Sequence, residues 1–420
     1  MTEFGDFISA LGEFGLYQKF LVLLLSLPLL LSPFQMIGQV FMVVDVPHHC
    51  NTSWIRAVGP NLTEEEQLNL TLPRDMDGAY EQCSMYSPVD WDLSSIMAYG
   101  LNATEKCSSG WVYASAQPPS LLSEFDLVCD RKDLNDISQS VYMAGLLLGS
   151  VMFGPLSDRI GRRPVFLICL VFQGLFGVGI AFVPHFYVYM AFRCVVGASV
   201  SGILITALAL ATEWVGVSSR PKAVLISHCC FAIGQMILAG LSYGIRNWRL
   251  LELAGSAPVF ALFFYFCPTG LPSLPEPFGG HEPVPLRLPS DCSWKSSWPW
   301  VSLAWFDSLA FCILKLKPET QPKSASILDL FRKKHLWKVT LIMSCTWFAD
   351  SLVYYGLSLN VTSFGLDIYL TQLAFGAVEL PARFSCIFLL QWFGRKKTQA
   401  VLLLLSGLMC LIITGIPEGE

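Results

Sequence analysis

Long runs without a charged side chain constrain this sequence more than any other feature. Phe20–Val44, Ser138–Leu156, Pro164–Pro184 and Ala223–Tyr243 contain no Asp, Glu, Lys or Arg. Crossing a bilayer core takes about 20 apolar residues of helix. Phe186–Thr212 qualifies with one charge, Arg193, and Leu250–Phe266 with Glu252. Val339–Leu359 holds Asp350, Ile368–Phe393 holds Glu379 and Arg383, and Gln399–Ile416 is clean. These runs predict an all-α membrane protein with nine spans. Charged residues make up 14% of the chain, against roughly a quarter in soluble proteins. A net charge of −5 gives no footprint for a nucleic-acid partner. The first residues include Glu3, Asp6 and Glu13, so they lack the basic start of a signal peptide. Phe4, Phe7, Ile8, Leu11 and Phe14 recur at helical spacing, which suits either a membrane-surface helix or packing beneath the bundle.

The polar stretch 45–137 separates the first two spans. It carries N-x-S/T sequons at Asn51, Asn61, Asn69 and Asn102, candidate glycosylation sites that place the stretch on the lumenal side. Cys50, Cys83, Cys107 and Cys129 then face an oxidising compartment and are expected to form two disulfides, with three pairings open. His48 and His49 beside Cys50 are not followed by a second cluster at ligand spacing, so no metal site is expected. With this loop outside, residues 1–19 lie in the cytosol. So do Arg159, Arg162, Arg163, Arg220, Lys222 and the run Arg395, Lys396, Lys397, as the positive-inside rule requires. Arg246 and Arg249 are the exception, falling in an outer loop. Asn360, a fifth sequon, falls at an outer helix end. The resulting order is 20–44, the first span; 45–137, the outer loop; 138–266, spans two to six; 267–337, a proline-rich cytosolic loop; and 338–417, spans seven to nine. Trp298–Leu316 is apolar enough to span, but doing so would invert every later segment, so it is read as interfacial or unfolded.

Between the second and third spans lies Gly154-Pro-Leu-Ser-Asp158-Arg159-Ile-Gly161-Arg162-Arg163. Its glycines permit tight turns, and its charges suit pairing with helix ends, where carbonyls attract cations. A shorter copy, Gln391-Trp-Phe-Gly394-Arg395-Lys396, follows the eighth span and predicts a repeat of six-helix halves. Arg193, Gly197 and Gly202 lie in the fourth span. The glycines allow close helix contact, and the arginine is either functional or snorkels to the near surface. No P-loop, H-E-x-x-H or G-x-S-x-G pattern is present, so neither ATP drive nor an enzyme is indicated, and no cofactor is expected.

The Gly154–Arg163 motif is similar to the gating signature of the major facilitator superfamily. Ala211-Thr-Glu-Trp214, Gly234-Gln235, Asn247-Trp-Arg-Leu-Leu251, Tyr354-Tyr355-Gly-Leu-Ser-Leu359, Leu370-Thr-Gln-Leu373 and Glu124-Phe-Asp-Leu-Val-Cys129 resemble solute carrier family 22, nearest its nicotinate and urate exchanger branch. The resemblance implies a plasma-membrane carrier of small organic anions working by alternating access. Exchange of aromatic carboxylates or urate-like anions is one possible form. It assigns the gating role to Gly154, Asp158, Arg159, Gly161, Arg162 and Arg163. It also places Arg383, Tyr354, Tyr355, Trp347, Phe231 and Gln235 at the substrate site. Arg383 suits a carboxylate because a guanidinium offers two parallel donors; equally, it stands four residues from Glu379 and could pair there. Its basic character argues against a cation carrier. Two departures stand out: 267–323 replaces the family's proline-containing motif after the sixth span, and the family continues for three helices beyond residue 420. The alternative expectation is therefore a truncated, non-transporting or regulatory glycoprotein. The expected contacts are membrane lipid and the small anion, and no protein partner is assigned.

Overall fold

The computed structural model describes residues 14–44, 46–75, 78–113, 118–216, 218–266, 334–359 and 366–414. The expectations for residues 1–13, Trp298–Leu316 and Asn360 lie outside them. Among the described residues are nine helices of at least 19 residues. They are α1 (Leu16–Met36), α2 (Asp133–Ile160), α3 (Arg162–Ile180), α4 (Phe186–Glu213) and α5 (Arg220–Gly244), then α6 (Trp248–Phe266), α7 (Lys334–Leu359), α8 (Ile368–Phe393) and α9 (Arg395–Thr414). Six of the nine, α1 to α5 and α8, have the length and composition to cross a membrane. Of the others, α9 contains a shorter apolar stretch, Lys397–Ile412, while α6 holds Arg249 and Glu252 and α7 holds Lys334, Lys338 and Asp350.

Several boundaries differ from the hydropathy reading. The first span is not one helix to Val44. It contains Pro28 and Pro33, ends at Met36 and turns through Ile37 and Gly38, whose amides both donate to Pro33 O (2.8 and 3.2 Å). A short helix, Gln39–Met42, follows. Conversely, α2 starts five residues before Ser138, because Asp133 and Asp136 complement the positive end of a helix. It also continues through Asp158 and Arg159, so most of the charged motif is helical. The turn to α3 is Gly161 alone, at φ +94° and ψ 151°, a conformation that side chains oppose. Gly154, read as a turn residue, sits inside the helix with open space at its Cβ position. Gly394 repeats the same one-residue turn between α8 and α9, at φ +76° and ψ 158°.

Residues between α1 and α2 build a small domain on one end of the bundle. Strand β1 (His48–Cys50) pairs antiparallel with β4 (Trp111–Tyr113), and β2 (Ser84–Tyr86) with β3 (Thr104–Lys106). Of the three pairings left open by sequence, the structure has Cys50–Cys107 and Cys83–Cys129. Helix Glu64–Thr71 starts at a capping box, with Thr63 N donating to Glu66 Oε2 (3.0 Å) and Glu66 N to Thr63 Oγ1 (3.4 Å). Asn61, Asn69 and Asn102 are exposed and Asn51 is half-buried.

Two apolar cores hold the bundle. One, at the domain end, joins Phe34, Ile37, Tyr142, Tyr189 and Trp248 to Leu121 and Leu127 of the domain. The other, at the opposite end, gathers Val22, Val165, Phe166, Ala207 and Trp214. Close contact of α2 with α4 depends on Gly145, Gly149 and Gly197, where any Cβ would collide with backbone of the facing helix. Helix α5 packs on α1 and on α8, and so links the two groups of helices.

Candidate functional site

Arg383 lies in the middle of α8, sixteenth in a helix of 26 residues. Its Nε donates to Glu379 Oε1 at 3.1 Å, and Nη2 donates to the same oxygen. The two residues are one turn apart, so the contact needs no distortion of the helix. Pro381 removes one backbone donor, yet α8 runs unbroken past it. The guanidinium stays on Glu379 across this proline. The charge of Arg383 acts on His228 and Cys229 of α5 and on Tyr354 of α7. Three helices thus meet around this pair.

Tyr354 and Tyr355 stand edge to face with centroids 5.3 Å apart. Phe231 is partly buried against the core at the domain end. Trp347 is 65% exposed on α7. Gln235 is buried and donates through Nε2 to Gln372 Oε1 of α8 (2.8 Å); Gln372 in turn donates to Ser358 O of α7 (2.8 Å). This chain of amides closes the space between α5, α7 and α8 on the domain side of Arg383. Where Gln235 and Gln372 meet, α5 and α8 approach closely; a Cβ at Gly376 would sit 3.1 Å from Ala232 O.

A second polar cluster joins α1, α2, α4 and α6. Arg193 is 1% exposed, so it does not snorkel. Its guanidinium donates to Gln35 O (2.8 Å), Gln39 Oε1 (2.7 Å) and Gln139 Oε1 (2.9 Å) and lies 4.6 Å from the Tyr142 ring centre. Gln35 Nε2 donates onward to Glu252 Oε1 (3.0 Å) and Ser256 Oγ (2.8 Å). A buried arginine held through its two terminal nitrogens by acceptors from α1, the short helix Gln39–Met42 and α2 fixes their relative positions.

At the opposite end, Arg162 ion-pairs with Asp158 (3.2 Å), one turn earlier across Gly161, and with Glu213 at the end of α4. Arg220 Nε donates to Thr212 O (3.1 Å), adding α5 to the same contact. Asp158 and Arg159 are exposed, and Arg163 is half-buried. The motif thus ties the α2–α3 turn to α4, through a glutamate that belongs to Ala211–Trp214.

Arg246 and Arg249 both have specific positions at the domain end. Arg249 pairs with Glu124 of the domain and donates to Val183 O (3.1 Å). Trp248 Nε1 donates to the same Glu124 (2.7 Å), while Phe125 packs among Phe186, Tyr189 and Trp248. Arg246 Nη1 instead donates to Tyr369 Oη of α8 (3.1 Å). In the domain itself, His48, Cys83 and Cys129 lie together. Both sulfurs belong to one disulfide, however, and a metal ligand must be a thiolate.

Hydropathy and motifs do not mark His228 or Tyr369, and although Gln372 lies in the Leu370–Leu373 motif and Glu252 in an apolar run, neither pattern indicates their partners Gln235, Ser358 and Gln35. Glutamine and tyrosine within apolar runs carry no charge, and their partners come from distant helices.

Comparison with known proteins adds a separate line. The Major Facilitator Superfamily profile matches residues 110–419. Human solute carrier family 22 member 13 is 47% identical over 99% of this chain and 75% of its own length. Human solute carrier family 22 member 14 is 39% identical over 100% of this chain and 69% of its own. Organic anion transporter 3 of Rattus norvegicus is 34% identical over 99% and 75%.

Proposed function

This chain belongs to the major facilitator superfamily and, within it, to solute carrier family 22, and on that premise we propose that it moves small organic anions across the membrane by alternating access. The observation that carries the reading is the placement of Arg383. It sits mid-helix, where α5, α7 and α8 meet, and donates through both Nε and Nη2 to one oxygen of Glu379. A guanidinium held by a single carboxylate oxygen can exchange that oxygen for a substrate carboxylate while keeping its charge neutralised. Glu379 then stands in for the anion when the site is empty. Tyr354 and Tyr355 of α7 and Phe231 of α5 supply ring faces on the two helices beside α8, which suit planar aromatic anions. The organic-anion name of the rat relative agrees with this chemistry.

The orientation follows from the same premise. We place the sequon-bearing domain outside the cell and the Gly154–Arg163 motif in the cytosol, with the first residues cytosolic and the chain in the plasma membrane. Arg162, bridging Asp158 and Glu213, is then a cytosolic tie that must loosen when that side opens. The Gln235–Gln372–Ser358 chain is the matching tie on the outer side.

Uptake of a panel of labelled aromatic carboxylates into cells expressing this chain tests the proposal. Arg383→Ala should abolish saturable uptake per molecule at the surface. Arg383→Lys should keep anion selectivity and lose affinity by roughly tenfold or more, the worth of one charge-assisted hydrogen bond. Undiminished uptake by Arg383→Ala would remove this residue from the substrate site.

A further inference from the structure

Two arginines lie at the domain end against the general charge pattern, and the structure treats them differently. Arg249 is neutralised by Glu124. Among the described residues, no carboxylate lies within ion-pair reach of Arg246. Its guanidinium is held instead between two rings, 4.8 Å from the centre of Tyr369 and 5.2 Å from that of Tyr243, with Nε donating to Tyr243 O (2.9 Å). The nearby Asp367 spends one oxygen on the amides of Tyr369 and Leu370 (both 2.9 Å), capping α8. Beside Arg246 is a cavity of about 310 Å³, lined by Phe41, Met42, Val46, Pro118, Arg246 and Tyr369 among others. Phe41 and Tyr369 stack at its edge, with centroids 5.5 Å apart and planes within 20°.

Building on the transport reading, we infer that this cavity is a second anion site, an outer docking site for planar aromatic monocarboxylates, distinct from the one at Arg383. Among the described residues the walls are mostly apolar with one charged group, Arg246, which suits a small aromatic anion, and the volume reaches the lower end of ligand-site sizes, roughly 300 Å³. The carboxylate is held by Arg246, and the ring lies against Phe41 and Tyr369. The walls come from four parts of the chain: the segment after α1, the inserted domain, the α5–α6 turn and the start of α8. Arg246 also joins α5's end to α8 through Tyr369, so an anion that draws the guanidinium away loosens the contact between the two groups of helices. Docking and outer opening are thereby linked through one side chain.

Photolabelling with 4-azidobenzoate, applied from outside to cells expressing the full chain, tests the site without requiring transport. Labelled peptides should include Phe41–Val46 or Tyr369, and excess benzoate should protect them. Labelling should fall roughly tenfold in Arg246→Ala, the loss expected for one charge-assisted contact, and should persist in Arg383→Ala. Should Arg246→Ala fail to reach the surface, Arg246→Gln, which keeps donors without charge, should show the same loss. Undiminished labelling in whichever of these variants reaches the surface, or label confined to the region around Arg383, overturns the outer site. Labelling that behaves as expected in a chain showing no uptake would refute the transport reading and leave the site standing. Uptake without Arg246-dependent labelling would do the reverse.

Discussion

On the reading proposed above, Glu379 and a substrate carboxylate compete for the same edge of Arg383, and the glutamate sets how hard the site is to enter. Its side chain is 14% exposed and that of Arg383 32%. Glu379→Gln keeps the shape and removes the competing charge. Substrate affinity is expected to rise several-fold, since a charged hydrogen-bond partner is worth about 1.5–3 kcal/mol before screening. Surface level should fall, because an unpaired arginine in a membrane helix is costly, by roughly 2.5–3.5 kcal/mol on insertion scales. Concentration-dependent uptake with surface biotinylation checks both, and unchanged affinity at normal surface level would show that Glu379 does not face the substrate. The Arg383–Glu379 pair was legible in sequence, because a spacing of four residues specifies one helix face. The environment of Arg383 was not: His228 is 155 positions away, and no periodicity connects them. Arg193 is an intermediate case. Its cost in a span was evident, whereas the choice between snorkelling and burial depended on Gln35, Gln39 and Gln139, which lie on other helices.

Helix ends show what hydropathy can and cannot define. The apolar runs located all nine long helices, but charge-bearing turns at their ends were excluded by the same criterion. Asp133, Asp136, Asp158 and Arg159 are helical although polar. The glycines of the motif are not equivalent, which leads to paired expectations. Gly161 occupies a backbone region that costs a non-glycine residue on the order of 1–3 kcal/mol, so Gly161→Ala should lower the amount of folded protein at the surface and its thermal stability in detergent. Gly154→Ala should be neutral or stabilise by roughly 0.5–1 kcal/mol, since it replaces a glycine in a helix interior with open space beside it. Thermal unfolding of the two variants side by side provides the test; equal losses would mean that Gly154 has a contact role of its own. Gly394, with the same backbone geometry as Gly161, makes the repeat visible in conformation where the sequence copy had decayed to a few residues.

Across the whole molecule, the inserted domain is not a loose appendage. Glu124 receives hydrogen bonds from Trp248 and Arg249, and Phe125 is wedged among three rings of the bundle. The domain therefore moves with α4 and α6. Its exposed Asn61, Asn69 and Asn102 should carry glycans in a mammalian host, and glycosidase treatment should increase gel mobility in steps that vanish one at a time with Asn→Gln changes. No shift in such a sample would invert the proposed orientation. Thr71, the hydroxyl residue of the Asn69 sequon, is fully buried and bonded to Gln67 O (2.6 Å), so that glycan must be added before the domain folds. The disulfides have a further, topological effect. Cys50–Cys107 and Cys83–Cys129 enclose overlapping stretches of chain, so any single peptide-bond cut between residues 50 and 129 is spanned by at least one of them. A protease acting on that stretch can nick the protein without dividing it. The halves would separate on a gel only after a reducing agent is added, and shedding of a fragment would take at least two cuts.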